Sequence, residues 1–519
     1  MTSTLAPSRA PASPGHRLGA GIVTTYLARF ASMIALVALV PVVLGAVGPA
    51  PYGVYILTVA VGALFQQDLG IGDATTRFIA VAHAAGDEQR MRRIAAASWA
   101  FYLGTAVVMG GLTAAAFAVI IPNTHSIPGE LTETAWILAG IGAVNVFVIV
   151  LMSTNRQILA GVGRLHEVNL LLIAQAVLKI ALTVLVCALG LGIVAVGLVD
   201  LAVSIGFGCA VAVLRMRRAP AIRTRLAEFR PEVFRELFRV SSQLMVMGVT
   251  SVVIMQAGGV LSALLLPIAA TALYAVAQRS FLVVKEVTNS LGTAILPTAS
   301  SHHGRGDDAA IRTLYLRGTS LANMLMTTVL VPVISFMPQI MSAWIGPTGA
   351  GAVLTAQVLI LSMFANNNHL LAIPALTAQG TMRGYAILHS IWAVTGVVLA
   401  YVLGQHLGLV GIALGLSIPI VLLEPAYVAI ALSRLRIGTG EFVVACLVRP
   451  FAVVAVPAIA MFVLARLVEP GLATAIAWSA AWVVVATALY VRFGLDAATR
   501  AQLRRRVTER RPTTRARAK

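Results

Sequence analysis

The chain is organised around residues 52–93, which read YGVYILTVAVGALFQQDLGIGDATTRFIAVAHAAGDEQRMRR. Their apolar part is long enough to enter a membrane, because a spanning helix needs about 20 apolar residues. The second half carries Asp68, Asp73 and Arg77, and a Gly-Asp turn then leads into three arginines. The stretch predicts a membrane helix that carries charges at depth and ends at a basic loop.

A weaker copy of this pattern returns at residues 274–312, YAVAQRSFLVVKEVTNSLGTAILPTASSHHGRGDDAAIR. The matched positions, all 220 residues apart, are Gly72 with Gly292, Gly86-Asp87 with Gly306-Asp307, and Arg92 with Arg312. Several matches in order at constant spacing predict a duplicated unit. The alternative is that Gly-Asp is simply a common turn pair. Duplicated membrane bundles usually place their working site between the two copies.

The composition is that of a polytopic membrane protein. Of 519 residues, 59% are hydrophobic and 11% are charged, against about 25% charged residues in soluble domains. The net charge of +19 comes from arginines in short loops and near the C-terminus. Because no basic stripe with interleaved aromatic residues occurs, the sequence predicts no nucleic-acid partner.

We predict an all-α protein with fourteen membrane-spanning helices. Their limits are 19–47, 52–80, 94–121, 135–158, 168–190, 192–214, 238–266, 269–297, 313–337, 351–376, 385–405, 408–432, 442–466 and 472–493. The alternating, roughly 10-residue strands of a membrane barrel are absent from the sequence. Helices are therefore the structure that satisfies the backbone in lipid.

The loops between these segments fall into two sets that differ in charge. One set holds both termini and residues 81–93, 159–167, 215–239, 298–312, 376–384 and 433–441, and it carries 28 of the 38 Lys and Arg residues. The alternate set, 48–51, 122–134, 190–192, 267–269, 338–350, 405–407 and 467–472, carries none. The positive-inside rule therefore predicts that both termini are cytoplasmic.

These segments predict six regions along the chain. They are a disordered cytoplasmic N-terminus (1–18), a first lobe of helices 1–6 (19–214), a basic cytoplasmic linker (215–237), a second lobe of helices 7–12 (238–432), helices 13–14 (433–493) and a basic cytoplasmic tail (494–519). In the linker, Phe234 and Leu237 share a face with Phe238, which predicts an amphipathic helix on the inner membrane surface. Anionic lipids are the expected partners of linker and tail. For the tail, ordinary positive-inside bias is the alternative.

Four cations lie deep within predicted spans, namely Arg29, Lys179, Arg279 and Lys285. A charge at the centre of a membrane helix costs about 3 kcal/mol unless it faces water or a partner. Counted from the cytoplasmic ends at about 1.5 Å per residue, all but Arg279 share one level with Asp68 and Glu286. We therefore predict a shared aqueous cavity in which the cations bind substrate. The two acids are expected to pair with the cations or to serve in ion coupling.

Other polar residues within spans are weaker candidates for this cavity. They are Asp73, Asp200, Asn367, His369 and Glu424. Each deep charge also has a structural alternative, in which it belongs to an ion pair that only stabilises the fold. Arg29 with Asp68, and Lys285 with Glu286, are the pairs that this alternative predicts.

The sequence contains no recognisable catalytic or metal-binding motif. It has no phosphate-binding loop, no HExxH and no nucleophile elbow. Cys187, Cys209 and Cys446 lie in apolar runs without paired spacing, which is typical of small core residues. We expect no enzyme activity, no metal and no cofactor, and we leave coupling to a proton or sodium gradient open.

The segment at 52–80, the AAGD turn that follows it and TTYLARFAS at 24–32 resemble bacterial polysaccharide flippases. These belong to the multidrug/oligosaccharidyl-lipid/polysaccharide exporter superfamily. The resemblance is clearest over residues 19–95 and extends more loosely to about 432. It implies two pseudo-symmetric six-helix lobes around a central cavity, with helices 13 and 14 outside the duplicated core.

The resemblance also implies a substrate and a place of action. The substrate would be an oligosaccharide on a polyprenyl diphosphate, moved by alternating access from the inner to the outer leaflet of the bacterial cytoplasmic membrane. Glycan-assembly proteins would be further partners. Multidrug exporters of the superfamily often carry an acid in helix 1, whereas helix 1 here carries Arg29, which favours an anionic diphosphate.

Two other functions remain open from the sequence. One is an ion-coupled exporter of small molecules or drugs on the same fold. The remote one is a membrane glycosyltransferase or glycan polymerase, which is disfavoured because the outer loops are short and carry no Lys or Arg.

The loop charges predict a definite topology. Single cysteines at positions 86, 226, 306 and 510 are expected to react only with reagents that reach the cytoplasm, and those at 127 and 345 only from outside. Labelling of intact cells with an impermeant thiol reagent measures this. Reaction of position 306 from outside would contradict both the helix count and the repeat.

Overall fold

The computed structural model describes residues 14–66, 70–124, 126–222, 226–304, 307–378, 381–467 and 471–495. Over these residues the chain forms helices and no strand, so the predicted all-α class is confirmed. The helices are α1 (Pro14–Val47), α2 (Pro49–Phe65), α3 (Ile71–Ala84), α4 (Glu88–Asn123), α5 (Thr132–Gly161), α6 (Leu165–Ala188), α7 (Gly192–Arg218), α8 (Pro231–Leu265), α9 (Ile268–Gly304), α10 (Asp308–Ser335), α11 (Met337–Ile345), α12 (Val353–Leu361), α13 (Met363–Leu370), α14 (Ala372–Ala378), α15 (Arg383–Leu435), α16 (Thr439–Phe442), α17 (Arg449–Ala452), α18 (Ala455–Leu467) and α19 (Leu472–Leu489). Short 3-10 turns form at Gly129–Leu131, Leu226–Glu228 and Gly346–Ala352, and π-helical turns at Val443–Val448 and Tyr490–Gly494.

Eleven helical segments among the described residues are long and apolar enough to cross a membrane, with the run Met337–Leu370, which contains α11, α12 and α13, counted as one. The bent pair Thr439–Ala452 and Ala455–Leu467 would make a twelfth. Helix α15 contains the predicted spans 385–405 and 408–432. Its backbone leaves helical geometry at Gly408, where the second span begins and φ is 61°. The polytopic membrane class is confirmed, while the number fourteen stays a prediction.

The predicted second span, 52–80, is two helices in the structure. Helix α2 ends at Phe65 and α3 begins at Ile71, directly after Gly70, whose φ of 74° is left-handed. Asp68 falls in the break and lies outside the described residues. Asp73 is exposed in the first turn of α3. A carboxylate there stabilises the positive end of the helix dipole, which is a structural role.

Asp87 and Asp307, the acids of the two matched Gly-Asp pairs, have the same structural role. Asp87 caps α4 by accepting a hydrogen bond at 2.8 Å from the backbone N–H of Arg90. Asp307 caps α10 by accepting one at 3.0 Å from the backbone N–H of Ala310. An N-cap satisfies a donor that has no partner within its helix, and it contributes about 1 kcal/mol. The spacing found in the sequence therefore corresponds to a shared helix cap.

The chain divides into two compact units. Unit 1 is Met1–Ala275 with His389–Ile412, and unit 2 is Val276–Leu388 with Ala413–Lys519. The boundaries fall inside α9 and α15 and not at the predicted linker, because α8 packs against α2, α3 and α4 within unit 1.

Protein covers part of the apolar face at the start of α8: Phe238 is 44% exposed, whereas Leu237 and Phe234 pack on neighbouring helices. Leu237 is 2% exposed and lies in a cluster with Ala74 and Ala97. Phe234 contacts Phe101, with ring centroids 6.2 Å apart. The expected membrane-surface position is therefore corrected for Phe234 and Leu237, and it stays a prediction for Phe238. The segment continues into α8 as one helix, and burying these side chains among α3 and α4 removes more apolar surface from water than a headgroup interface does.

The chain start also differs from expectation. Helix α1 begins at Pro14, so residues 14–18, predicted as part of a disordered terminus, are helical. Proline suits the first turn of a helix, where its missing N–H has no partner to lose. Residues 1–13 and the predicted lipid-binding tail from 496 onward lie outside the described residues.

In unit 2, the last long helix packs against α10. Trp482 of α19 is buried and donates from its indole N–H to the carbonyl of Thr328 at 2.9 Å. Tyr490 donates to the carbonyl of Pro450 at 3.0 Å. Since Met324 of α10 lies in the same buried cluster, the C-terminal helices contribute to the core of this unit.

In unit 1, α2 meets the start of α9 at Gly53. A Cβ built on Gly53 would overlap the backbone carbonyl of Ile268. Backbone cannot rotate away as a long side chain can, so the close approach of these helices requires glycine at this position.

We expect Gly53→Ala to lower the stability of the purified protein by about 1–3 kcal/mol, because the added methyl forces α2 and α9 apart. Thermal denaturation in detergent measures the change. Gly104→Ala is the matched control: no heavy atom lies within 4 Å of a Cβ there, so it should be neutral or stabilising by up to about 1 kcal/mol. Equal melting temperatures for the two variants would contradict the packing argument.

Candidate functional site

A polar cavity of about 280 Å³ lies among α2, α5, α6 and α7 in unit 1. Its polar lining residues are Tyr55, Thr58, Gln66, Asn145, Gln175, Lys179, Asp200 and Ser204. Two glycines in the wall allow the helices to come close. A Cβ on Gly142 would lie 2.6 Å from Thr58 Cγ2, and one on Gly197 would lie 2.7 Å from Leu138 Cδ2. Four apolar helices thus direct polar side chains toward one another.

An ion pair occupies this cavity. Lys179 Nζ lies 2.7 Å from Asp200 Oδ1, and the hydroxyl of Tyr55 donates to Asp200 Oδ2. The Asp200 side chain is 14% exposed and the Lys179 side chain 36% exposed, so the ammonium is the more accessible of the two. The carboxylate has one neutral donor, the hydroxyl of Tyr55, and one ion-pair partner, the ammonium of Lys179, which together offset its desolvation.

An amide adds an unused acceptor to the same wall. Asn145 Oδ1 is buried and receives no hydrogen bond from the residues that the structure describes. Buried polar atoms are normally hydrogen-bonded, so this oxygen is available to a donor such as a hydroxyl group. The cavity therefore offers a cation, an acid, amides and hydroxyls to a polar ligand.

Arg29 belongs to the same unit as Lys179. It is half-buried on α1, which packs along α6. One turn earlier, Thr25 Oγ1 accepts a hydrogen bond at 2.8 Å from Asn169 Nδ2 and joins the two helices. The sequence predicted Asp68 as a counterion of the deep cations, but the structure pairs Lys179 with Asp200, which was only a weaker candidate.

The other deep cations lie in unit 2. Arg279, Lys285 and Glu286 are all half-buried on α9. The opposite charges of the adjacent Lys285 and Glu286 interact with each other. Each unit thus holds two of the four predicted cations, and the predicted cavity shared by all four stays a prediction.

Unit 2 contains a second polar centre, built around His369 and Glu424. Nδ1 of His369 lies 2.5 Å from Oε2 of Glu424. His369 is 0% exposed and Glu424 is 6% exposed. The imidazole stacks on the ring of Tyr427 with centroids 4.2 Å apart, and it meets Tyr385 edge to face at 5.8 Å. Two weaker candidates from the sequence are therefore in direct contact.

A network of asparagines supports this centre. Asn323 of α10 donates to Asn368 Oδ1 at 2.7 Å and to the carbonyl of Cys446 at 2.7 Å. Asn367, which is fully buried, donates to Asn323 Oδ1 at 2.7 Å. These bonds hold α13 against α10 and the π-helical turn Val443–Val448, and they fix the helix that carries His369.

Sequence reasoning did not identify several uncharged members of these sites. They are Tyr55, Asn145 and Gln175 in the cavity, and Asn323 in unit 2. A search for deep charges overlooks amides, although an amide in lipid without a partner also costs several kcal/mol. That cost is the signal that would have found them. No group of three or more His, Cys, Asp or Glu residues placed to hold a metal occurs in the described part of the chain.

Comparison with known proteins gives one family and one fold. Residues 18–303 match the family described as Polysaccharide biosynthesis protein. No curated protein matches the chain.

Among solved structures, an inward-facing multidrug resistance MATE family transporter of the MOP superfamily is similar, with a TM-score of 0.67 and 19% identity over 81% of this chain and 97% of that one. The outward-facing conformation gives a TM-score of 0.56 at 19% identity over 81% and 94%. A MOP superfamily transporter from Pyrococcus furiosus, described as having a binding pocket of reversed polarity that suggests a different function, gives 0.53 at 19% identity over 81% and 94%. These likenesses show the fold.

The Lys179–Asp200 pair makes a prediction about stability. Asp200→Asn leaves the ammonium of Lys179 without its charged partner, and we expect a loss of about 1–3 kcal/mol because the site is partly accessible to solvent. The double variant Lys179→Met with Asp200→Asn should recover most of the loss. Thermal denaturation of the purified variants measures both.

Glu441→Gln is the control for that prediction. Glu441 pairs with Arg312, and both side chains are more than 40% exposed, so its loss should cost less than about 1 kcal/mol. If Asp200→Asn is no more destabilising than Glu441→Gln, the ion pair does not stabilise the fold.

Proposed function

Because the chain belongs to the polysaccharide biosynthesis protein family, which matches more than half of its residues, we propose that it is a lipid-linked glycan flippase. It moves an oligosaccharide on a polyprenyl diphosphate from the inner to the outer leaflet of a bacterial cytoplasmic membrane, with both termini in the cytoplasm. Family membership and the transporter fold support an exporter of the MOP type. No covalent bond changes in this function.

The observation that carries the choice of substrate is the accessible ammonium of Lys179 in a polar cavity. Membrane helices keep such a charge only where a partner or an aqueous ligand offsets its cost. In the resting protein Asp200 is that partner, at 2.7 Å. An arriving diphosphate carries more charge than one carboxylate. We propose that Lys179 exchanges Asp200 for the diphosphate, while the hydroxyl of Tyr55 continues to satisfy Asp200.

The remaining lining suits a hydroxylated ligand. Amides and hydroxyls donate to and accept from sugar hydroxyls, and the buried Asn145 Oδ1 receives no hydrogen bond from the described residues. A volume of about 280 Å³ is near the lower limit of small-molecule sites. It holds one polar group of the substrate, not a whole oligosaccharide.

The other deep cations complete the proposed binding site. Arg29, Arg279 and Lys285 would contact further phosphate oxygens as the substrate passes. An arginine suits this role because its planar fork gives two parallel hydrogen bonds to phosphate, which lysine does not. Asp68 and Glu286 would hold cations between cycles, as Asp200 holds Lys179. Anionic lipids and glycan-assembly proteins are the further partners in this proposal.

An ion-coupled exporter of small molecules is the second candidate. It is favoured by Asp200, an acid that faces the same cavity, and by the likeness in fold to multidrug resistance transporters. Lys179 counts against it, because the pair presents no net negative charge to a cationic drug. Drug-resistance assays in cells that overproduce the protein separate the two functions: increased resistance without any effect on surface glycan supports the exporter.

Substitution of the cavity cations tests the flippase. Lys179→Gln combined with Asp200→Asn, which leaves no unpaired carboxylate, and Arg29→Ala are each expected to abolish surface glycan in cells that depend on this protein, with protein abundance near normal. Arg29→Lys should recover part of the export because charge is kept and the fork is lost. Surface glycan is measured by immunoblot, alongside protein in isolated membranes.

Arg466→Gln is the matched control, since Arg466 is exposed and lies over the ring of Phe462 at 5.1 Å. It should export normally. If the double variant Arg29→Ala with Asp68→Asn restores both abundance and export, Arg29 is a structural counterion and not a substrate ligand.

A further inference from the structure

The second polar centre has a geometry that the proposed substrate does not explain. His369 and Glu424 are buried in the apolar interior of unit 2, in contact at 2.5 Å. A fixed ion pair would need donors for both carboxylate oxygens. Glu424 Oε2 contacts the imidazole, whereas Oε1 is buried and receives no hydrogen bond from the described residues. A charged carboxylate loses the solvation of that oxygen, and a proton on it removes the charge.

We propose that Glu424 is an exchangeable proton site and that glycan export is coupled to its protonation. In the loaded state the proton sits on Oε1, and neutral His369 donates its Nδ1–H to Oε2, which is then the carbonyl oxygen of the acid. On release the proton leaves Oε1, and the carboxylate keeps the imidazole as its donor. The centre thus changes its net charge by one. The coupling rests on the proposed function, whereas the proton site itself does not.

A second cavity lies beside the face of α15 that carries Glu424. It has a volume of about 350 Å³ and lies beside Glu424 in unit 2. Glu424, Val428 and Leu432 line it at spacings of four residues along one face of α15, and Thr439 continues the wall at the start of α16. The cavity therefore leads from the acid to the end of the helix, where the sequence predicts the cytoplasmic loop 433–441.

The surroundings favour a proton over a metal cation. The nearest polar atom to the carboxylate is an imidazole nitrogen, whereas hard cations prefer a shell of oxygen ligands. The other titratable groups around the centre are Tyr315 of α10, Tyr385 and Tyr427 of α15, and Cys446 of the π-helical turn. All are neutral over the range in which a carboxyl or a histidine titrates. The change in charge therefore resides on the Glu424–His369 pair.

The asparagine network connects the Glu424–His369 pair to the packing of the neighbouring helices. Tyr315 donates to the carbonyl of Asn368 at 3.1 Å, one residue before His369. Asn323 joins Asn368 to the carbonyl of Cys446. A change of charge at Glu424 acts on α13 through His369, and α13 is bonded to α10 and to the turn that lines the second cavity. This is the physical connection between protonation and helix packing in unit 2.

Infrared difference spectroscopy tests the proton site directly. The full-length protein in lipid nanodiscs is compared at about pH 5 and about pH 8. We expect a protonated-carboxyl band that falls as pH rises, that is absent in Glu424→Gln and that is unchanged in Glu441→Gln, the exposed acid of the same unit. No pH-dependent band in the wild type, or a band that persists in Glu424→Gln, overturns the proton site and leaves the proposed function untouched.

Variants of His369 test the pairing. His369→Leu removes the donor that stabilises the carboxylate, so the midpoint of the band should move to higher pH by about one unit or more. His369→Gln keeps a donor and should stay near the wild type. Equal midpoints for the leucine variant and the wild type overturn the role of His369. Suppression of the band by sodium at constant pH overturns the assignment to a proton.

Export in cells tests the coupling. Surface glycan should be lost in Glu424→Gln, retained in Glu441→Gln, and lost in the wild type when a protonophore collapses the proton gradient. A pH-dependent band together with normal export by Glu424→Gln overturns the coupling. A pH-dependent band in a protein whose deletion leaves surface glycan unchanged overturns the proposed function and keeps the proton site.

Discussion

A hydroxyl inside an apolar helix can bond a carbonyl of its own helix, as Thr113 bonds that of Met109. A charged side chain in such a helix needs water or a partner on another helix, and the arrangement of the helices depends on where those partners are. Lipid offers no replacement for water, so each unsatisfied group costs several kcal/mol. Lys179 on α6 finds Asp200 on α7, and Asp200 also receives the hydroxyl of Tyr55 on α2. Three helices are thereby held in one arrangement by a single carboxylate. The same constraint operates in unit 2, where Asn323 bonds both Asn368 and the backbone at Cys446.

The buried charges of the two polar centres are stabilised in chemically different ways. In unit 1 the pair borders a cavity, and its cation is the more accessible member, so an anion can compete for it. In unit 2 the pair is almost wholly buried, His369 lies against the rings of Tyr385 and Tyr427, and Glu424 borders the second cavity. The first arrangement suits recognition of a ligand, and the second suits a change of charge state.

Close backbone approach is the second requirement of the fold, and glycine supplies it at particular positions. Gly53 lets α2 contact the start of α9, and Gly142 and Gly197 let helices close around the cavity. At the helix ends, Asp87 and Asp307 satisfy backbone donors by side-chain caps. These local features place the helices that carry the polar centres, and the caps give Asp87 and Asp307 the same role at the starts of α4 and α10.

The sequence by itself determined the membrane class, the helical fold and the family. Long apolar runs, the charge difference between loops and the segment around residues 52–93 are local properties, and they depend on no contact between distant residues. It also located Lys179, Asp200, His369 and Glu424 as polar residues within spans.

The sequence did not determine which of these residues pair. A residue in a helix has neighbours three and four positions away on its own helix, and its contacts with other helices are set by packing. Only the tertiary structure joined Lys179 to Asp200 across 21 positions and His369 to Glu424 across 55. It also buried Leu237 against α3 and α4, since a helical periodicity shows which face is apolar but not whether lipid or protein covers it.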